Sequence, residues 1–223
     1  MIEENQDDLP KGLSLEYATN GVARARQLYD AFIESRRFIH PLARAALFLA
    51  ALDRAYRNGP ETVIARYLKG PLQAETDDCM SLVRAINREM ITAKRRVALN
   101  PSFGEASSLV GGADADFVID DTLVDIKTTK YFQITQAMVH QLVGYRILLA
   151  ACEPDGSTAQ GAPAITHGAI YFSRHATLER FRYLDLIDRQ DFLRLAEWLI
   201  NYVSDSNVEA NLLVERVKKA ELH

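Results

Sequence analysis

Between Gly111 and Thr129 the chain reads Gly-Gly-Ala-Asp-Ala-Asp-Phe-Val-Ile-Asp-Asp-Thr-Leu-Val-Asp-Ile-Lys-Thr-Thr, with acids and a lysine interleaved among apolar residues. If Asp120-Asp121 is a two-residue turn, Ile119 lies opposite Thr122, Val118 opposite Leu123, Asp116 opposite Asp125 and Asp114 opposite Lys127. Opposed residues project from one face, so Asp114, Asp116, Asp125 and Lys127 share a face, and Phe117, Ile119, Val124 and Ile126 take the other. Carboxylates facing each other across a strand pair repel. A divalent cation removes that repulsion, and Mg²⁺ needs only one or two protein carboxylates, filling its other positions with water and phosphate oxygens. A lysine beside such an ion can orient a water or stabilise charge developing on a phosphate. The same alternation also describes an ordinary exposed strand, which leaves the gathering of acids and lysine unexplained. Register decides the matter, because a slip by one residue puts Asp116 and Asp125 on opposite faces.

Asp116-Phe-Val-Ile-Asp followed by Leu123-Val-Asp125-Ile-Lys127-Thr-Thr resembles the acidic strand and the (D/E)-x-K strand of the PD-(D/E)XK nuclease superfamily. The resemblance implies metal ligation by Asp116 and Asp125, a backbone carbonyl from Ile126 and a catalytic cation at Lys127. Downstream, Gln141-Leu142-Val143-Gly144-Tyr145 is similar to the Q-L-x-x-Y motif of the RecB-like branch. Four-residue spacing puts Gln141 and Tyr145 on one helix face, within reach of the site or of a nucleic-acid backbone. Thr128 and Lys130 are further candidates for substrate contact. Asp114 competes with Asp116 as the first ligand, because Gly111-x-x-Asp114 also resembles the glycine-led form of the motif; Asp116 is preferred because it faces Asp125 in the simplest register. An upstream glutamate is not fixed, with Glu89 and Glu105 both candidates. The four cysteines of the iron–sulfur branch are absent. The resemblance spans residues 102–172 and implies a restriction-endonuclease-like α/β core, a mixed sheet flanked by helices, using Mg²⁺ or Mn²⁺ to hydrolyse DNA.

The elements that would position these residues are legible in the apolar spacing. Residues 20–38, 40–57 and 61–68 have helical spacing, with Asn58-Gly59-Pro60 as punctuation. A further helix is predicted over 75–96, where Met80, Val83, Ile86, Met90 and Ile91 form one stripe. A strand over 97–103, the hairpin at 113–129, a helix over 132–152, a loop at 153–164 and a strand over 169–172 follow. Residues 181–187 suit another strand, and 189–203 and 208–222 suit closing helices. The chain thus divides into a helical N-terminal extension, residues 1–70, and an α/β core with C-terminal helices, residues 71–223. The extension is expected to help set substrate choice.

Composition limits the alternatives. The 223 residues, 48% hydrophobic and 25% charged, suit a folded chain with a substantial core. A net charge of -4 excludes a protein that coats nucleic acid through a large basic excess, though not an enzyme with local positive charge. Lys94, Arg95, Arg96, Lys127, Lys130 and Arg146 are the cations near the motif. The longest apolar run, residues 45–52, is far below the roughly 20 residues of a membrane span, and the acidic start is unlike a signal peptide, so a cytoplasmic protein is expected. Cys79 and Cys152 lack metal-ligand spacing, and none of His40, His140, His167, His175 and His223 pairs with another as a metal ligand would. Nucleic acid, DNA before RNA, is the expected partner, and self-association is left open. The competing reading is a nuclease-like fold that binds DNA or a protein without cutting.

Overall fold

A computed structural model describes residues 14–58, 70–152 and 165–221. The acidic start, the helix expected over 61–68, the loop at 153–164 and His223 lie outside them. The chain forms two compact units, Met1–Ile86 and Asn87–His223, so the division falls sixteen residues beyond the expected 70/71 boundary.

In the first unit, α1 (Leu15–Ser35) starts where the Ser14 hydroxyl accepts a hydrogen bond from the Tyr17 amide at 3.1 Å. Helix α2 (His40–Asn58) packs against α1 and against α3 (Gln73–Ala85). Ala18, Ala25, Leu42, Ala43, Ala55 and Met80 are buried there. The contact with α2 requires Gly21, since a Cβ at that position would lie 2.3 Å from the Phe48 ring. The helix expected over 75–96 stops at Ala85. The Asn87 side chain accepts from the Glu89 amide at 3.1 Å and starts a separate 3₁₀ turn, Arg88–Ile91.

The second unit carries the sheet. Its strands are β1 (Val97–Leu99), β2 (Phe117–Ile119), β3 (Thr122–Lys127), β4 (His167–Phe172) and β5 (Thr177–Arg182), and they lie in sequential order. All neighbours are antiparallel except β3 and β4, which run parallel, with α5 (Gln136–Ala151) in the connection between them. A one-turn helix α4 (Glu105–Ser108) precedes β2, and α6 (Tyr183–Leu186), α7 (Arg189–Val203) and α8 (Asn207–Ala220) close the chain. The architecture is α/β, a five-stranded mixed sheet flanked by helices. No described helix is long and apolar enough to cross a membrane.

Hairpin register agrees with the sequence expectation: Ile119 pairs with Thr122, Val118 with Leu123 and Phe117 with Val124. Asp120 at the turn has φ of 53°, which Asp tolerates better than most residues. Its carboxylate accepts from the amides of Lys94, Arg95 and Arg96 at 3.0, 2.7 and 3.1 Å, fastening the turn to the segment entering β1. The Lys94 amide foremost holds that carboxyl below its ordinary range.

Alternation divides the sheet. Val118, Leu123, Ile170 and Phe172 enter the main core with Leu142 and Ile147 of α5, Phe192 and Ile200 of α7, and Leu213 and Val217 of α8. Val124, Ala169 and Tyr171 form a smaller cluster with Phe117 and Leu178 on the opposite face. The segment expected as a strand over 181–187 splits: β5 ends at Arg182, and the Ile187 amide closes a turn onto the Tyr183 carbonyl at 3.0 Å. Tyr183 is fully buried and donates its hydroxyl to the Leu142 carbonyl at 3.0 Å. Gly168 lies beneath it, where a Cβ would sit 2.7 Å from the Phe181 ring and 3.1 Å from the Tyr183 hydroxyl. Gly168→Ala is therefore expected to cost about 1–3 kcal/mol, read as a lower denaturation midpoint in urea at unchanged slope.

Asp121 ties the start of β3 to β4 and β5. It accepts from the Thr166 hydroxyl at 2.8 Å and the Thr122 hydroxyl at 3.1 Å, and pairs with Arg180 at 3.0 Å and His167 at 3.2 Å. Burial pushes this carboxyl up, but those hydroxyls and cations outweigh it and hold it at about 2. A carboxyl depressed on folding stabilises the protein above its unfolded value, and that contribution disappears as pH falls from about 4 to about 2. Urea denaturation at pH 7 should show Asp121→Asn less stable by roughly 1–2 kcal/mol, allowing for partial solvent screening. At pH 2 the difference should close; a gap that persists there would contradict the ionic account.

Candidate active site

The site lies at the C-terminal end of β3, on the α5 side of the sheet. Three alternating residues establish this: Leu123 enters the main core, and Asp125 and Lys127 follow on the same face. Asp125 is 5% exposed, an unusual position for a carboxylate. Its Oδ2 lies 2.7 Å from Lys127 Nζ as an ion pair but makes no aligned hydrogen bond. Burial pushes the Asp125 carboxyl above its usual range; the Lys127 ammonium opposes this, and the charge of Asp116 adds to it.

Asp116, not Asp114, is the acid whose charge acts on Asp125. Continuing the hairpin register places it opposite Asp125, and its Oδ2 accepts from the Ile126 amide at 2.5 Å. Asp114 is set two residue pairs further out, where it bridges Ser102 in the continued register of β1 and β2. The Asn100 amide donates to the Asp116 carbonyl at 2.9 Å between these positions. Beyond the formal end of β1 the pairing is interrupted at Asn100, whose φ is 46°, and resumes at Ser102, so the backbone of Asp116 is held from the side away from β3.

Helix α5 supplies the rest. The Thr135 hydroxyl accepts from the Met138 amide at 3.3 Å, and this cap fixes the phase of the first turn. Lys127 Nζ donates to Gln141 Oε1 at 2.7 Å, and Gln141 Nε2 donates to the Tyr145 hydroxyl at 2.6 Å. Phe103 lies against the Tyr145 ring with centroids 5.3 Å apart. A continuous polar chain therefore runs Asp125, Lys127, Gln141, Tyr145, anchored at its far end by a buried aromatic. Two carboxylates against one ammonium leave this corner with an excess of one negative charge, which favours a cation.

Other candidates are placed differently. Thr128 is exposed and its hydroxyl meets Ser173 Oγ at 2.9 Å, while Lys130 is exposed with Nζ 4.8 Å from the Tyr131 ring centroid. Glu105 pairs with Arg216 on α8 at 3.7 Å, and Glu89 sits exposed on the 3₁₀ turn. Among the described residues no three His, Cys, Asp or Glu side chains gather to hold a metal, so the acid pair stands without a third carboxylate.

Three expected cations do not serve the site. Arg146 is buried, pairs with Glu221 at 2.6 Å and stacks over Phe192 and Tyr183, at 4.0 and 4.8 Å from their centroids. It is a core residue because α5 turns it toward α7 and α8. Lys94 and Arg95 line a cavity of about 320 Å³ with Thr122, Val124, Leu178 and Arg180, on the sheet face opposite Asp125. The Asp120 turn holds them there, at the far end of β3, roughly 16 Å along the strand from Lys127.

Sequence reasoning did not single out Phe103, Ser173, Tyr131 or Phe132. Phe103 carried a signal only as an apolar residue ending a short strand; Ser173 carried none, because its partner Thr128 is 45 residues away. The chain matches no family model, no curated protein and no solved structure.

Proposed function

We propose that this chain is a metal-dependent nuclease of the PD-(D/E)XK type that hydrolyses phosphodiester bonds in DNA. One observation carries the reading: a buried carboxylate, Asp125, with an oxygen that lacks an aligned hydrogen bond, faces a second acid and a lysine held in place by a glutamine. The Lys127 ion pair offsets only part of the cost of burying that charge, since burial still holds the carboxyl above its usual range with a second acid beside it. The mixed sheet flanked by helices is also the kind of core the resemblance implies.

Asp116 and Asp125, beside the Ile126 carbonyl, suit Mg²⁺ or Mn²⁺, which would supply Lewis-acid polarisation of the phosphoryl group and acidify a bound water. Lys127 presents its ammonium on the same face and stabilises charge that develops on the phosphate oxygens. Gln141 is a positioning residue that holds Lys127 Nζ, and Tyr145 holds Gln141. Thr128 and Lys130, where the chain leaves β3, contact the nucleic-acid backbone.

A second reading, a nuclease-like fold that binds DNA or a protein without cutting, is favoured by one observation: Lys127 and Asp125 are already closed on each other and no third acid joins them. Incubating the protein with circular and linear DNA in Mg²⁺, Mn²⁺ or EDTA separates the two. Cutting that requires the cation supports the nuclease, whereas metal-independent binding with intact DNA supports the binder.

A further inference from the structure

The chain does not leave the site freely after Lys127. Lys127 pairs in register with Phe172 of β4, and Phe172 is fully buried on the α5 side of the sheet. Five residues beyond Lys127, Phe132 comes back to this place and sets its ring edge-on to Phe172, with centroids 5.0 Å apart and planes at 71°. It also meets the His175 ring at 5.3 Å. The segment 128–135 is thereby folded over the strand ends next to Lys127. Its first part is fastened once more, by Thr128 to Ser173, and the Tyr131 amide donates to the Thr129 hydroxyl at 3.1 Å within the segment itself.

Held in this way, the segment still shows its apolar side chains to solvent. Tyr131 is 64% exposed, Phe132 52% and Ile134 43%. Lys130 places its ammonium over the Tyr131 ring at 4.8 Å. A largely exposed aromatic with a cation over one face, on a fastened segment at the rim of a lysine-bearing site, has the chemistry that recognises a nucleotide: the ring's other face for the base and an ammonium that can turn to the phosphate. In a duplex the faces of internal bases are covered by their neighbours, so such a ring is offered many stacking partners by a single strand and only the end pairs by a blunt duplex.

We propose that residues 130–132, led by Tyr131, form a stacking platform for unpaired bases, and that this chain acts on single-stranded or end-frayed nucleic acid. This rests on the nuclease reading for its purpose but not for its test. Binding is to be measured by fluorescence anisotropy in EDTA, using a labelled oligothymidylate and a labelled blunt duplex of equal length, with the wild type, Tyr131→Ala and Tyr131→Phe.

The expected result is tighter binding of the single strand, weakened about tenfold by Tyr131→Ala, kept by Tyr131→Phe, and no change in duplex binding across the three proteins. Single-strand binding that is indifferent to Tyr131→Ala, or duplex binding as tight as single-strand binding, overturns the platform and points to a protein partner for the exposed rings. Because EDTA removes any cutting, the two readings fail separately. Cation-dependent cleavage with no Tyr131 effect sinks only the platform, and Tyr131-dependent single-strand binding without cleavage in Mg²⁺ or Mn²⁺ sinks only the nuclease.

Discussion

Asp125→Asn is expected to lower cation-dependent cleavage at least about a hundredfold while leaving the protein folded. Asparagine keeps the size of the side chain and one acceptor oxygen for the Lys127 ammonium, while removing the charge and turning the other oxygen into an amide donor. Desolvation makes that charge unfavourable in the folded state, so its loss does not undermine the core. Lys127 loses its ion-pair partner but keeps Gln141 and is itself a quarter exposed, so it remains partly solvated. The thermal midpoint should move by no more than about 5 °C, as for a change near 1 kcal/mol. Titration calorimetry with Mn²⁺ supplies the second readout: binding by the wild type, none by the variant. A folded Asp125→Asn protein that cuts at the wild-type rate would remove Asp125 from the chemistry.

The largest stability effect belongs to Arg146. Its guanidinium is sandwiched against Phe192 and Tyr183 and pairs with Glu221, and both side chains of the pair are nearly buried, 9% and 13% exposed. Arg146→Ala deletes the stacking, empties volume between α5, α7 and α8, and leaves the Glu221 carboxylate without its partner. Such a loss costs about 3–5 kcal/mol. In a unit of this size that corresponds to a fall in thermal midpoint of roughly 10–20 °C. Glu221→Gln, which keeps a hydrogen-bond acceptor for the guanidinium, should cost far less. A midpoint for Arg146→Ala within a few degrees of the wild type would show the guanidinium to be a solvated surface group.

These two residues also mark what could be read from sequence. The hairpin was legible because alternation and a two-residue turn fix register together: with Ile119 against Thr122, the face shared by Asp116, Asp125 and Lys127 follows. Gln141 and Tyr145 were legible because helical spacing is local. Arg146 was not. Its position five residues beyond Gln141 says nothing about which of several helices it meets, and its partner Glu221 lies 75 residues away. Lys94 and Arg95 misled for a related reason, since closeness in sequence to the motif did not reveal that Asp120 would hold them at the other end of β3. The helix over 75–96 failed where a local competitor won, the Asn87 side chain taking a backbone amide that a continuous helix would have used. Phe132 has the spacing of the first apolar residue of a helix, but α5 starts only at Gln136 and the Phe132 ring returns onto Phe172.

The central claim is that Lys127, held between Asp125 and Gln141, serves phosphodiester hydrolysis. The most direct measurement is cleavage of circular and linear, single- and double-stranded DNA by the wild type and by Lys127→Ala in Mg²⁺, Mn²⁺ and EDTA, with folding matched by circular dichroism. The account predicts cation-dependent products from the wild type and at least about a hundredfold less from the variant; equal cleavage by the two proteins, or none by either in Mg²⁺ or Mn²⁺, would contradict it.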